Sequence, residues 1–244
     1  MDQDATSELL GAAMRDKDAT SKSLGAAMRD KDAAVELLGA AMMVYSIPRV
    51  TTQALAVFPG KGEVWRVQDA IRSWERKDQT AKYLLVANNN LKEKPPVLLG
   101  LQKLQAPPFG LKRTAGVHFG PKVLNTKNQA DWISATAREL KISSITLFVS
   151  PYHLLRAYLT LLKALQPHKI LLIPAPTPVA PTTCIPVSKK KNAWQLVSEE
   201  EGKIIEHQGC GHVATVAELT EYLTWLWKQR ELCSIRLGMN ESER

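Results

Sequence analysis

A histidine and an arginine three residues apart form the most informative pair in this sequence. His153 and Arg156 follow an apolar run, SITLFV, and a short turn, SPY. At this spacing, both side chains leave one face of a helix and can act on the same molecule. A histidine can exchange a proton near neutral pH, and an arginine can hold a carboxylate or phosphate through two hydrogen bonds. The pair predicts a site for an anionic ligand, with His153 as its catalytic residue.

The elements that must position this pair alternate along the chain. The clearest strand is 144–149, an unbroken apolar run of the kind found in buried parallel sheets. An apolar helix is predicted at 153–165, directly after the turn. Similar patterns predict further strands at 53–58, 82–87, 116–119 and 169–173, further helices at 63–77, 126–140, 192–206 and 215–232, and an extended proline-rich surface segment at 174–186. Alternating strands and helices predict an α/β fold of the Rossmann-like type, with a mostly parallel sheet and helices on both faces.

In such sheets, ligands bind beyond the carboxyl ends of the strands, so we expect the remaining binding residues at the other strand ends. Glycine allows a ligand to approach the backbone closely, and helix starts attract anions through their free N–H groups. Ser150 and Tyr152 precede such a helix, although a helix cap and a packed ring would explain them equally well. The binding residues predicted on these grounds are Gly60, Lys61, Gly62, Asn88, Asn125, Thr126, Asn128, Ser150, Tyr152 and Arg156.

The same residues form a pattern that resembles the YdcF/SanA/ElyC-like proteins, bacterial α/β proteins long described as a domain of unknown function. Their core combines a glycine-containing first strand end, an arginine in the next helix, an NT-x-EN-A motif and a strand ending in VTS-x-YH-xx-RA. The matching residues, within positions 52–175, are Gly60, Gly62 and Arg66, then Asn125 to Ala130, then Ser150 to Ala157. The resemblance implies a Rossmann-like fold, Arg66 as a further ligand-binding residue, and S-adenosylmethionine or another nucleotide-like molecule as ligand.

The sequence departs from that family at the second motif. Asn128 stands where the family has an acidic residue, and Gln129 replaces the asparagine that follows. A carboxylate that could act as a general base or bind a metal is therefore missing from this position. Two interpretations stay open: an enzyme of unknown reaction acting on a nucleotide-like or phosphorylated molecule, and a non-catalytic binding or interaction module.

The N-terminus repeats itself with a period of 14 residues, at 4–17, 18–31 and 32–42. Its alanine, leucine and methionine content favours helix, but its apolar stripe is interrupted between Met14 and Leu24. We expect residues 1–43 to form a separate arm, either helical or disordered, and self-association through residues 1–42 is the functional interpretation. Residues 50–235 would form the α/β domain, and residues 236–244 a polar tail.

The distribution of charge limits the kinds of partner that the sequence predicts. The chain has a net charge of +8; residues 1–42 carry five basic and eight acidic side chains, and the rest carries 27 basic and 16 acidic ones. A basic folded part favours a small anionic partner. Nucleic acid is not expected, because the basic residues form no long stripe with interleaved aromatic residues.

Scattered cysteines and the absence of a long apolar run predict a cytoplasmic protein without a membrane span. No metal site is expected, since His207, Cys210 and His212 lack a fourth ligand nearby in sequence.

Overall fold

The structure is a computed structural model that describes residues 32–76, 80–88, 100–123, 125–166, 168–186, 188, 191–230 and 232. The chain divides after residue 42 into two units. In the first unit, the described residues 32–42 are helical and belong to helix α1, which spans 32–45. The third copy of the repeat is therefore helical. The first two copies and the predicted polar tail lie outside the described residues.

The second unit contains a parallel sheet. In the described part of the chain, its strands are β1 (Ala54–Val57), β2 (Tyr83–Val86), β3 (Val117–Phe119), β4 (Ser144–Val149) and β5 (Leu171–Pro176). They are hydrogen-bonded in the order β3-β2-β1-β4-β5, and every pair is parallel. The predicted α/β, Rossmann-like fold is confirmed.

Helices flank this sheet: α2 (Val64–Trp74), α3 (Leu101–Gln105), α4 (Thr126–Glu139), α5 (Leu154–Leu165), α6 (Val197–Gly209) and α7 (Val216–Leu226). On α2, Val67, Ile71 and Trp74 are buried in one cluster with Leu55 and Val57 of β1. The chain moves one way across the sheet from β1 to β2 and the other way from β4 to β5. Because such crossovers are right-handed, α2 and α5 cover opposite faces.

Strand β5 differs from its prediction. It runs to Pro176, whereas the sequence suggested a strand at 169–173 followed by an extended surface segment. Leu171 and Thr177 donate their backbone N–H groups to β4, at Ser143 and Val149, so the odd-numbered residues pair with β4. Pro174 and Pro176 lie at even positions, where the missing N–H would face the free edge of the sheet. Prolines are tolerated at such positions of an edge strand.

The strand order places a crevice at the carboxyl ends of β1 and β4. These neighbours are hydrogen-bonded to each other, yet the connections that leave them lead to opposite faces of the sheet. The loops after such strands separate and leave a crevice, where ligands bind in open α/β sheets. The turn before α2 and the 3-10 turn Pro151–His153 before α5 border this crevice.

Candidate functional site

A cleft of about 400 Å³ opens at this crevice. Its walls come from the β1–α2 turn, the start of α4, the β4–α5 turn, the segment after β5 and the first turns of α6. The described residues that line it are Pro59, Gly60, Lys61, Glu63, Arg66, Asn125, Thr126, Gln129, Tyr152, His153, Arg156, Ser188, Leu196, Glu199, Glu200 and Lys203. The structure thus brings together most of the predicted residues and adds several that were not predicted.

Glu200 of α6 is the centre of one wall. His153 Nδ1 and Arg156 Nε each lie 2.6 Å from its Oε2 atom, and Arg156 Nη2 donates to Oε1 at 3.2 Å. Lys203 Nζ donates to the same Oε1 at 2.9 Å, and Arg156 Nη1 donates to Thr126 Oγ1 at 3.2 Å. The bidentate partner of Arg156 is therefore a protein carboxylate, which the arginine fixes beside the histidine.

The surroundings of His153 keep its imidazole neutral at pH 7. Burial and the positive charge of Arg156 lower the pKa of His153 to about 4, although Glu200 acts in the opposite direction. Burial raises the pKa of the Glu200 carboxyl, but hydrogen bonds and charges from His153 and Arg156 lower it by more, so that it lies well below its usual range. A neutral imidazole next to a carboxylate donates through Nδ1 and keeps a lone pair on Nε2. His153 therefore lines the cleft as a neutral imidazole.

This pKa shift predicts a loss of stability in mild acid. The pKa of His153 is about 4 in the folded protein against an ordinary value of 6.5. Between these values the unfolded chain binds more protons, so acidification favours unfolding. The stability that the neutral His153 contributes is complete above pH 6.5 and is lost as the pH falls towards 4. The loss amounts to about 3 kcal/mol. Urea unfolding at several pH values measures it. His153→Gln should flatten the curve in this range, and parallel curves for variant and wild type would contradict the assignment.

Glu63 is the centre of the opposite wall. Arg66 Nη2 donates to Glu63 Oε1 at 2.8 Å, and Arg66 Nε donates to Oε2 at 3.0 Å. Ser150 Oγ donates to Oε2 at 2.6 Å, and Tyr152 Oη donates to Oε1 at 2.8 Å. The Glu63 and Arg66 side chains are only 2% and 4% exposed. These bonds fasten the β1–α2 turn to the β4–α5 turn. Ser150 and Tyr152 thus serve neither as a helix cap nor as a merely packed ring.

The Glu63 side chain explains why residue 60 is a glycine. A Cβ atom at Gly60 would lie 2.0 Å from Glu63 Oε1, closer than any real contact allows. We predicted that this glycine lets a ligand approach the backbone, and the structure shows that it lets the carboxylate approach. The neighbouring Lys61 is exposed and lines the cleft, and within the described residues it forms no ion pair.

The third wall is the start of α4. Asn125 caps this helix, because its Oδ1 accepts a hydrogen bond of 2.9 Å from the backbone N–H of Asn128. Asn125, Thr126 and Gln129 line the cleft. Gln129 is 7% exposed, and its Nε2 donates to the carbonyl of Asn88 at 3.2 Å.

Four of the predicted binding residues do not line the cleft. Ser150 is fully buried next to Glu63, and Asn88 is buried with its Nδ2 donating to the Gly120 carbonyl at 2.6 Å. Gly62 has a φ of +70° and is exposed next to Pro186. Asn128 contributes its backbone N–H to the cap of α4.

Sequence reasoning missed the two buried carboxylates of the cleft, Glu63 and Glu200. Glu200 lies between two glutamates in a run that suggests a solvated helix face. A signal was present nonetheless, because Leu196 and Ile204 lie four residues to either side and are buried, which places Glu200 on the inner stripe of α6. The acid that the resemblance led us to seek at Asn128 is absent, yet the cleft has carboxylates from α6 and from the turn before α2.

Fold and site together describe a Rossmann-like α/β protein with a cleft at the switch point of its parallel sheet, and buried charged side chains line this cleft. Comparison of the chain with models of protein families and with curated proteins finds no match. Within the described residues, no helix is both long and apolar enough to cross a membrane. The same residues include no group of three or more His, Cys, Asp or Glu side chains arranged to hold a metal ion.

Proposed function

We propose that this protein binds a small anionic molecule, nucleotide-like or phosphorylated, in the cleft and that His153 exchanges a proton with it. The observation that carries the proposal is the His153–Glu200 pair at the cleft wall. A carboxylate that accepts from Nδ1 fixes the tautomer and orientation of the ring, and leaves Nε2 as the proton acceptor. His153 is 6% exposed and lines the cleft, so a bound molecule can reach that atom.

Charge supports an anionic ligand. Arg66 is paired with Glu63, and Arg156 and Lys203 with Glu200, whereas Lys61 at the mouth has no such partner within the described residues. Lys61 therefore contributes a positive charge that a ligand can neutralise. The start of α4, where Asn125 and Thr126 line the cleft, adds a positive helix end at the same opening.

Calorimetric titration of the full chain tests this proposal. The panel contains sugar phosphates, nucleoside monophosphates, S-adenosylmethionine and inorganic phosphate. We expect binding of at least one phosphorylated compound, weakened roughly fivefold by Lys61→Met, since one exposed charge pair contributes about 1 kcal/mol. Lys82→Met is the matched control, because Lys82 is also exposed but precedes β2. It therefore lies at the amino ends of the strands, away from the cleft at their carboxyl ends.

Two results would contradict the proposal. One is no heat of binding for any anionic compound of the panel. The other is binding that Lys61→Met and His153→Gln together leave unchanged, because the ligand would then lie elsewhere on the protein.

A further inference from the structure

We infer that the cleft selects a phosphorylated molecule rich in hydroxyl groups, such as a sugar or polyol phosphate, over one that carries a nucleobase. This inference rests on the proposed function and names the class of ligand for the same site. It follows from two acceptor atoms in the walls that accept no hydrogen bond from the described residues, and from how few aromatic rings the walls offer for stacking.

Two acceptor atoms in the cleft have no hydrogen-bond partner within the described residues. One is Nε2 of His153, whose other ring nitrogen is bonded to Glu200. The other is Oε1 of Gln129, whose Nε2 is bonded to the Asn88 carbonyl. Both side chains line the cleft, and both residues are more than nine-tenths buried. Neither atom is among the buried atoms of the described residues that lack a partner, so both are open to the cleft and a ligand that supplies donors can hydrogen-bond at both places.

Each oxygen of Glu63 and Glu200 already accepts two hydrogen bonds from protein side chains, so the acceptors left for a ligand are His153 Nε2 and Gln129 Oε1. Tyr152 and Ser150 show that the Glu63 oxygens accept hydrogen bonds from hydroxyl groups, at 2.8 Å and 2.6 Å. Phosphate oxygens cannot donate to any of these acceptors when ionised, whereas hydroxyl groups can. The free acceptors of the walls therefore favour a ligand with hydroxyl groups, and the positive charge of Lys61 favours a ligand with an anionic group.

A nucleobase finds few rings to stack on here, because the aromatic residues in the described lining are Tyr152 and His153. The larger of the two rings is that of Tyr152. That ring is already in contact with the Arg66 guanidinium, whose centre lies 5.7 Å from the ring centroid. The cleft volume of about 400 Å³ is at the small end of the range for ligand pockets.

The test compares three phosphorylated probes by calorimetry on the full wild-type chain: D-ribose 5-phosphate, n-pentyl phosphate and adenosine 5′-monophosphate. The first two share the phosphate group and the number of carbon atoms, whereas D-ribose 5-phosphate adds hydroxyl groups and the oxygen of its furanose ring. Since one hydrogen bond is worth on the order of tenfold in affinity, we expect D-ribose 5-phosphate to bind about a hundredfold more tightly than n-pentyl phosphate through the two free acceptors. We expect the adenine base to add less than about tenfold.

A substitution in the cleft tests whether the preference for hydroxyl groups arises there. Gln129→Met removes one acceptor and should weaken D-ribose 5-phosphate about tenfold while leaving n-pentyl phosphate unchanged. Gln68→Met is the control, since Gln68 lies on α2 and donates to the Pro108 carbonyl outside the cleft.

The outcomes separate the two claims. Equal affinity for D-ribose 5-phosphate and n-pentyl phosphate overturns the hydroxyl preference and leaves the proposed anion site standing. Adenosine 5′-monophosphate more than tenfold tighter than D-ribose 5-phosphate overturns it in favour of a nucleotide. Failure of all three probes, and of the rest of the anionic panel, overturns the proposed function and this inference with it.

Discussion

Replacing Glu63 by alanine should lower the free energy of unfolding by about 3–5 kcal/mol, the loss typical of a broken buried ion pair. The substitution leaves the Arg66 guanidinium, 4% exposed, without its carboxylate. It also removes the acceptor of the Ser150 and Tyr152 hydroxyl groups. Urea unfolding of wild type and variant at pH 7 measures the difference.

The matched control for this variant is Asp131→Ala. Asp131 also pairs with a basic side chain on a neighbouring turn, Lys127, but these side chains are 45% and 39% exposed. Exposed pairs of this kind contribute about 0.5 kcal/mol or less. If Glu63→Ala cost no more than this control, the Glu63 network would not be what fastens the two turns of the cleft together.

Replacing His153 by glutamine should lower turnover by about 10²–10⁴-fold, the contribution typical of a positioned general acid or base. Glutamine can still donate a hydrogen bond towards Glu200, but it has no basic ring nitrogen that could accept a proton. ³¹P NMR of the phosphorylated panel incubated with wild type and variant measures conversion. His168→Gln is the control, because His168 is exposed and precedes β5, at the amino ends of the strands and away from the cleft.

This experiment also separates the two interpretations of the protein. Equal conversion by wild type and His153→Gln would show that His153 moves no proton in the reaction. Binding without conversion of any compound by the wild type would favour the non-catalytic binding module.

The strand ends of this protein could be predicted because they depend on local patterns. The unbroken apolar run of β4 has one reasonable structure, and it forms over the predicted residues, Ser144–Val149. Since all strands are parallel, their carboxyl ends meet at one edge, and this brings His153 together with Lys61 and Asn125. Residues separated widely in sequence were thus grouped correctly by topology alone.

The two carboxylates could not be predicted with the same ease, because their positions depend on packing between distant elements. Glu200 reaches His153 across 47 positions in sequence, and only the packing of α6 beside the β4–α5 turn brings them together. Arg156 shows the same limit: its type suggested a ligand contact, but the structure pairs it with Glu200. A charged residue near a cleft can bind a ligand or another side chain, and spacing does not distinguish the two.

The most direct measurement of the central claim is ¹⁵N NMR of the His153 ring, assigned by comparison with His153→Gln. At pH 7 we predict a neutral ring, protonated at Nδ1 and unprotonated at Nε2. Titration with the tightest-binding compound of the panel should move the Nε2 resonance and leave that of His168 unchanged. A ring protonated at both nitrogens at pH 7, or a His153 signal that stays fixed when the protein is saturated with ligand, would contradict the account.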